Sequence, residues 1–383
     1  MRVDTFIFVN RQSSIVNRFL KVAISLIIIF LILGAILFFA VPFLLQNISF
    51  PGFSSSGSGI AGIFKTIDGG DFWFSKNNIE SSKSTIGSAN ILDLVLDPFD
   101  NNIMYAGTNG AGILKSINNG ESWKRLVDDN NLLASSAVIN QIAINPRDPA
   151  HIFIAAFQGG SGGIFKTEDA GRSWKQLYIV PLAKQDIKTL VIDPLNPNFL
   201  YAGTTAGGFL VSSDGGESWR ALKWFFDPIK KIVINPFSSA ELFLVLENRG
   251  FYKTADRGEN WKDLTHTFSG YPSAIRVENI VLDPQRPNVL YMTSMYGLLK
   301  STDGGNSWRS LKILVSPETL PVQDIAIDRN NYKMIYISAG SKIYISNDEG
   351  ENWTVKSLNT GKNAKLIRID YKNPKVIFVG IHK

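Results

Sequence analysis

The chain of 383 residues contains no cysteine. That excludes a disulfide framework, a thiolate zinc site, a cysteine nucleophile and a lipid-modified cysteine anchor. It has three histidines, at His151, His266 and His382, far apart in sequence. They offer little material for a histidine metal centre, and neither a metal nor a cofactor is expected. Charge of one sign is also scarce: 39 Lys and Arg stand against 33 Asp and Glu, a formal net charge of +6. Part of that excess comes from Arg2, Arg11, Arg18 and Lys21 against Asp4 at the very start. The rest is too weakly basic for a nucleic-acid surface, so no nucleic-acid partner is expected. Disorder is excluded by 45% hydrophobic and 11% aromatic residues.

Charge is absent altogether from Val22 to Leu45. As a helix this run is roughly 36 Å long, enough to cross a bilayer core of about 30 Å. It is longer than a signal-peptide apolar region and ends in bulky residues, so an uncleaved anchor is the preferred reading. Four cations precede it, and no charge follows until Lys65. The positive-inside bias puts residues 1–21 in the cytoplasm and the rest outside. Residues 46–59, rich in Gly and Ser, read as a tether. The expectation is a single-pass plasma-membrane protein of a prokaryotic envelope, with residues 60–383 extracytoplasmic.

Seven of the eight tryptophans recur at intervals of 42 to 51 residues. Each closes one string: TIDGGDFW, SINNGESW, TEDAGRSW, SSDGGESW, TADRGENW, STDGGNSW and SNDEGENW. The carboxylate or amide at Asp68, Asn118, Asp169, Asp214, Asp256, Asp303 and Asp348 can accept backbone N–H bonds and hold a turn. The Gly two residues on suits a positive φ. The Trp offers an apolar face that pins the turn. A catalytic site needs one special copy, so seven equal copies predict a structural role. Between the strings a second motif recurs: LVLDP, IAINP, LVIDP, IVINP, IVLDP, IAIDR and IRIDY, each followed by an aromatic-rich strand. Each unit is then four short strands, the size of a propeller blade.

The string resembles the Asp-box, or BNR repeat, of β-propeller proteins. The resemblance implies an all-β, seven-bladed propeller of four-stranded blades; the apolar run 22–45 puts one N-terminal transmembrane helix before it. The propeller starts at a box and ends without one, so residues 60–75 and 365–383 are expected to share a closing blade. Within the superfamily the chain is most similar to the photosystem II stability and assembly factors and to sortilin-type propellers. The first likeness implies a non-catalytic, protein-binding assembly scaffold rather than an enzyme. Envelope or membrane proteins would be its partners, with glycans as a further possibility. The alternative is a glycan-binding or glycoside hydrolase propeller, sialidase-like or similar to the xyloglucan-degrading enzymes. Sialidases carry an arginine triad and a Tyr–Glu pair that are not evident in this sequence. The xyloglucan enzymes pair two propellers.

Two candidate sites follow. Asp93, Gln141, Thr189, Lys231, Asn279 and Asp324 each begin a central strand and can look into the channel mouth. They read either as a solvated lining or as a ligand-holding ring, with Asp93 and Asp324 its two acids. Trp224, Phe225, Phe226, Phe268 and Tyr271 stand in neighbouring interblade loops. They read either as packing or as an exposed contact patch. Deleting residues 365–383 is expected to unfold the propeller, read as loss of the cooperative thermal transition. A truncated protein that stays folded and monomeric would contradict ring closure.

Overall fold

The computed structural model describes residues 61–382 apart from 81–84, 88, 249, 315 and 317. The segment 1–21, the apolar run 22–45 and the tether 46–59 lie outside the described residues. Among those described, no helix is long and apolar enough to cross a membrane.

Seven antiparallel four-stranded sheets follow one another around a ring. Their innermost strands are Ile91–Leu96, Val138–Ile144, Ile187–Ile192, Ile229–Asn235, Val277–Leu282, Val322–Ile327 and Asn363–Ile369, which number blades 1 to 7. Each of the first six blades runs outward in chain order. In blade 7 the inner pair, Asn363–Ile369 and Ile377–His382, is joined by Gly62–Thr66 and then Phe74–Ser75. Gly62–Thr66 pairs antiparallel with Ile377–Ile381 over its whole length.

A blade is apolar on both faces, because each face is covered by a neighbour. The second strands Met104–Thr108, Leu200–Thr204, Leu290–Ser294 and Ile335–Ala339 are buried at every residue. That accounts for near-continuous apolar runs where a one-sided sheet would alternate. The core is correspondingly divided into seven clusters, one at each blade boundary. Each boundary holds one repeat tryptophan. Trp174 of blade 2, for example, packs with Tyr105 and Ile113 of blade 1.

The tryptophan is delivered there by a turn that is the same in all seven copies. The leading Ser or Thr hydroxyl donates to the Asp or Asn side-chain oxygen at 2.6–2.9 Å. It also accepts from the Gly amide at 2.8–3.0 Å. The same Asp or Asn oxygen accepts from the amide just before the Trp at 2.8–3.1 Å. These donors depress the carboxyls. The Ser218 hydroxyl and amide and the Ser212 hydroxyl hold Asp214 at about 2. The Asn260 amide, the Thr254 hydroxyl and the Asn260 side chain do the same to Asp256, also at about 2. Their contribution is present above the ordinary carboxyl value and is lost as pH falls toward 2. The second motif is a turn as well: Asp97, Asn145, Asp193, Asn235, Asp283, Asp328 and Asp370 each accept from the amide two residues on, at 2.8–2.9 Å.

Two turn glycines separate backbone strain from packing. Gly258 has φ +94°, and a Cβ there would stand 2.3 Å from Cε1 of Phe209. Gly69 has φ +78° with nothing within 4 Å of its Cβ position. Gly69→Ala should therefore cost about 1 kcal/mol, the left-handed penalty alone. Gly258→Ala should cost about 3 kcal/mol, because overpacking adds to that penalty. Denaturant midpoints of the two variants should differ accordingly; equal midpoints would contradict the packing assignment.

Candidate functional site

Every innermost strand carries a bulge at one position. Pairing with the second strand skips Leu92, Asn140, Lys188, Lys230, Glu278, Gln323 and Lys365 in the seven blades. In blades 1 to 6 the bulge directly precedes one of the channel-mouth residues, in blade 7 it precedes Leu366, and a bulge re-aims the side chains beside it. The ring positions are thereby turned toward neighbouring blades, and most of them act as staples. Asp93 Oδ2 accepts from the Ile142 amide at 2.9 Å and from Gln141 Nε2 at 3.0 Å. Thr189 Oγ1 accepts from the Ile232 amide at 3.3 Å. Asn279 donates to Asp324 Oδ1 at 2.5 Å, and Asp324 Oδ2 accepts from the Ile367 amide at 2.9 Å.

The centre of this ring is held by a residue outside the six channel-mouth candidates. At the second position of the central-strand motif, blades 1 to 6 have Val95, Ala143, Val191, Val233, Val281 and Ala326, and blade 7 has Arg368. That single departure from a small apolar residue was the available signal. Arg368 donates to Asp324 Oδ2 at 2.9 Å, to Asp93 Oδ1 at 3.3 Å and to the Leu94 carbonyl at 2.7 Å. It ties blade 7 to blades 6 and 1. Burial opposes its charge, but Asp324 and Asp93 hold the guanidinium above its ordinary value. Burial, and then the Arg368 charge, push the Lys231 ammonium below its ordinary value, against the pull of Asp93 and Asp324. Beyond the Arg368 latch a cavity of about 380 Å³ follows the axis, walled by Leu96, Val281, Ile327 and Ile369.

The latch bears on chemistry. All four oxygens of Asp93 and Asp324 face donors, and on each residue two of those donors are backbone amides. Such oxygens can only accept. A glycosidase acid must donate a proton to the leaving oxygen, and these two carboxylates are not arranged to do so.

The structure does not gather the five aromatic candidates into one surface. Phe225 is buried between blades 3 and 4, with ring centroids 5.0 Å from Tyr252 and 5.7 Å from Trp261. Phe268 is buried 5.6 Å from Trp308. Tyr271 is half-buried and donates its hydroxyl to the Trp308 carbonyl at 3.0 Å. Only Trp224 and Phe226 are exposed, beside a groove of about 590 Å³ lined also by Lys223, Asp227, Asn248 and Tyr252. The strand that ends at Trp224 leads directly into Ile229, where the innermost strand of blade 4 starts. The groove therefore lies on the channel-mouth face, opposite the repeat turns.

No protein-family model matches the chain. Among curated proteins it is similar to a probable oligoxyloglucan-reducing end-specific xyloglucanase of Neosartorya fischeri. That match is 24% identical over 247 residues, covering 60% of this chain and 24% of the relative. An oligoxyloglucan-reducing end-specific xyloglucanase of Emericella nidulans is 26% identical over 154 residues, covering 36% and 18%. The chain thus spans less than a quarter of the length of these relatives. Among solved structures, the GH74 xyloglucanase of Xanthomonas campestris superposes with a TM-score of 0.64 at 16% identity, covering 83% of this chain and 52% of the other. YCF48 bound to D1 peptide superposes with a TM-score of 0.59 at 18% identity, covering 77% and 94%. At such identities the structural likeness is one of fold. The sequence relatives overturn two expectations, the non-catalytic scaffold and the non-enzyme. The expectations failed because the propeller fold that drove them is common to both groups of structures.

Arg368→Met should lower stability by about 3 kcal/mol, since it strands two buried carboxylates. Adding Asp93→Asn and Asp324→Asn should recover part of that loss. Urea unfolding of the single and triple variants measures both effects; additive losses would contradict the latch.

Proposed function

We propose that the protein is a glycan-directed propeller that binds and hydrolyses a β-glucan of the xyloglucan class. The observation that carries this reading is the sequence match, up to 60% of the chain, to enzymes named as xyloglucanases. In this reading the repeated turns are Asp-boxes and serve the scaffold, while glycan contact falls to the channel-mouth face. Hydrolysis needs two carboxylates about 5–5.5 Å apart for retention or about 6.5–9.5 Å apart for inversion. Asp93 and Asp324 serve the ring and face only donors, so in this reading the general acid is another carboxyl. Residues 22–45 would tether the propeller outside a membrane, where a polymeric glycan is accessible.

The test uses the purified full chain with polymeric xyloglucan and with unsubstituted cello-oligosaccharides. New reducing ends and shorter products should accumulate with xyloglucan, in proportion to protein and time. Retention on xyloglucan without cleavage would restrict the function to binding. The absence of both retention and cleavage would overturn the proposal.

A further inference from the structure

The groove beside Trp224 has the makings of a saccharide subsite, an inference that rests on the glycan reading above and assigns it a place. Trp224 is 57% exposed, whereas none of the seven repeat tryptophans is exposed. Its exposure is not that of a loose side chain. A Cβ at Gly208 would stand 3.0 and 3.1 Å from Cζ3 and Cη2 of Trp224, so the six-membered ring lies directly against the bare Gly208 backbone. Gly208 and Trp224 are paired in register on adjacent strands. That backing is itself fixed: the Gly208 amide donates to Thr204 Oγ1 at 2.8 Å, and the Phe225 amide donates to the Gly207 carbonyl at 2.8 Å. Any larger residue at Gly208 would push the indole away.

The next residue, Phe225, is anchored in the core, and Phe226 emerges again into solvent on every side. Trp224 and Phe226 are therefore held outward from one buried pin. Beside them Asp227 accepts from the Asn248 side chain at 2.6 Å and from its backbone amide at 2.8 Å. This carboxylate–amide pair gives the groove polar groups of fixed position. Lys223 balances the Asp227 charge, with its Nζ 5.5 Å from the Phe225 ring centroid.

A backed aromatic face, a second exposed ring and a rigid donor–acceptor pair in a groove without net charge suit a neutral, polyhydroxylated ligand. A β-linked glucopyranose has axial C–H bonds on both ring faces and hydroxyls around its rim. The C–H face packs on a π-surface, and the rim hydroxyls need both donors and acceptors. An anionic ligand would meet Asp227, and a purely apolar one would strip water from the Asp227–Asn248 pair while offering it no hydrogen bond. We infer that Trp224 and Phe226, with Asp227 and Asn248, form a stacking subsite for backbone glucose units of a neutral β-glucan.

The experiment titrates the full chain with a xyloglucan heptasaccharide by calorimetry. Trp224→Ala with Phe226→Ala should raise Kd about tenfold or more with an unchanged thermal midpoint. Trp224→Phe should restore most of the affinity. A second reading on the wild type does not depend on the variant folding: the bound heptasaccharide should shield one tryptophan from iodide quenching, and Trp224→Phe should abolish that component. If the wild type binds but the double variant binds equally well, or if binding shields no tryptophan, the subsite assignment is wrong and the glycan reading stands. If the wild type binds neither the heptasaccharide nor the polymer, the glycan reading fails and the subsite with it.

Discussion

A four-stranded blade with two apolar faces cannot bury either face by itself. Everything else in this structure answers that constraint. Seven blades cover one another in a closed ring, and each boundary carries its own cluster of large side chains. The repeat turn uses a hydroxyl, a carboxylate or amide and a glycine to set one tryptophan into each boundary. Burial of such a side chain stabilises by about 1.5–3 kcal/mol, so the seven boundaries together carry a large share of the stability. No blade has an outer neighbour to fall back on, and the ladder between Gly62–Thr66 and Ile377–Ile381 joins the two ends of the domain.

The same constraint explains the channel. Seven inner strands converge there, and their bulges bring polar side chains from adjacent blades together. Arg368 satisfies two buried carboxylates from different blades and closes the mouth end of the axial cavity. The channel centre is thereby committed to holding the ring. In the function proposed above, ligand contact falls to the loops on the mouth face, where side chains are not required by packing. Trp224 and Phe226 are such side chains: no repeat demands them, and the glycine turn beneath Trp224 is shaped to carry its ring.

Much of the fold was legible in the sequence because it is repeated. Seven turn strings of one pattern, and a second motif of fixed type between them, leave a seven-bladed propeller of four-stranded blades as the architecture. The turn detail was partly legible: the Asp or Asn was assigned its role, whereas the Ser or Thr hydroxyl that bridges it to the glycine amide was not. The site was legible less well. Phe225 and Phe268 look like Trp224 and Phe226 in sequence, yet packing between blades buries them. Asp93 and Asp324 look like a catalytic pair until Arg368 is seen between them. Arg368 itself was visible as the one charged residue in a column of Val and Ala. The division between scaffold and enzyme was not legible, because the repeat encodes the ring and the ring is common to both. Similarity to a part of xyloglucanase sequences, less than a quarter of their length, is what favours the glycan reading proposed above.

The most direct test of the account is an experimental structure of the full chain with a xyloglucan heptasaccharide bound. The account predicts a glucose ring stacked on the solvent face of Trp224, beside Phe226, with hydroxyls toward Asp227 and Asn248, and an unbroken Arg368 latch. A saccharide seated in the axial channel with Asp93 and Asp324 released from Arg368 would contradict it.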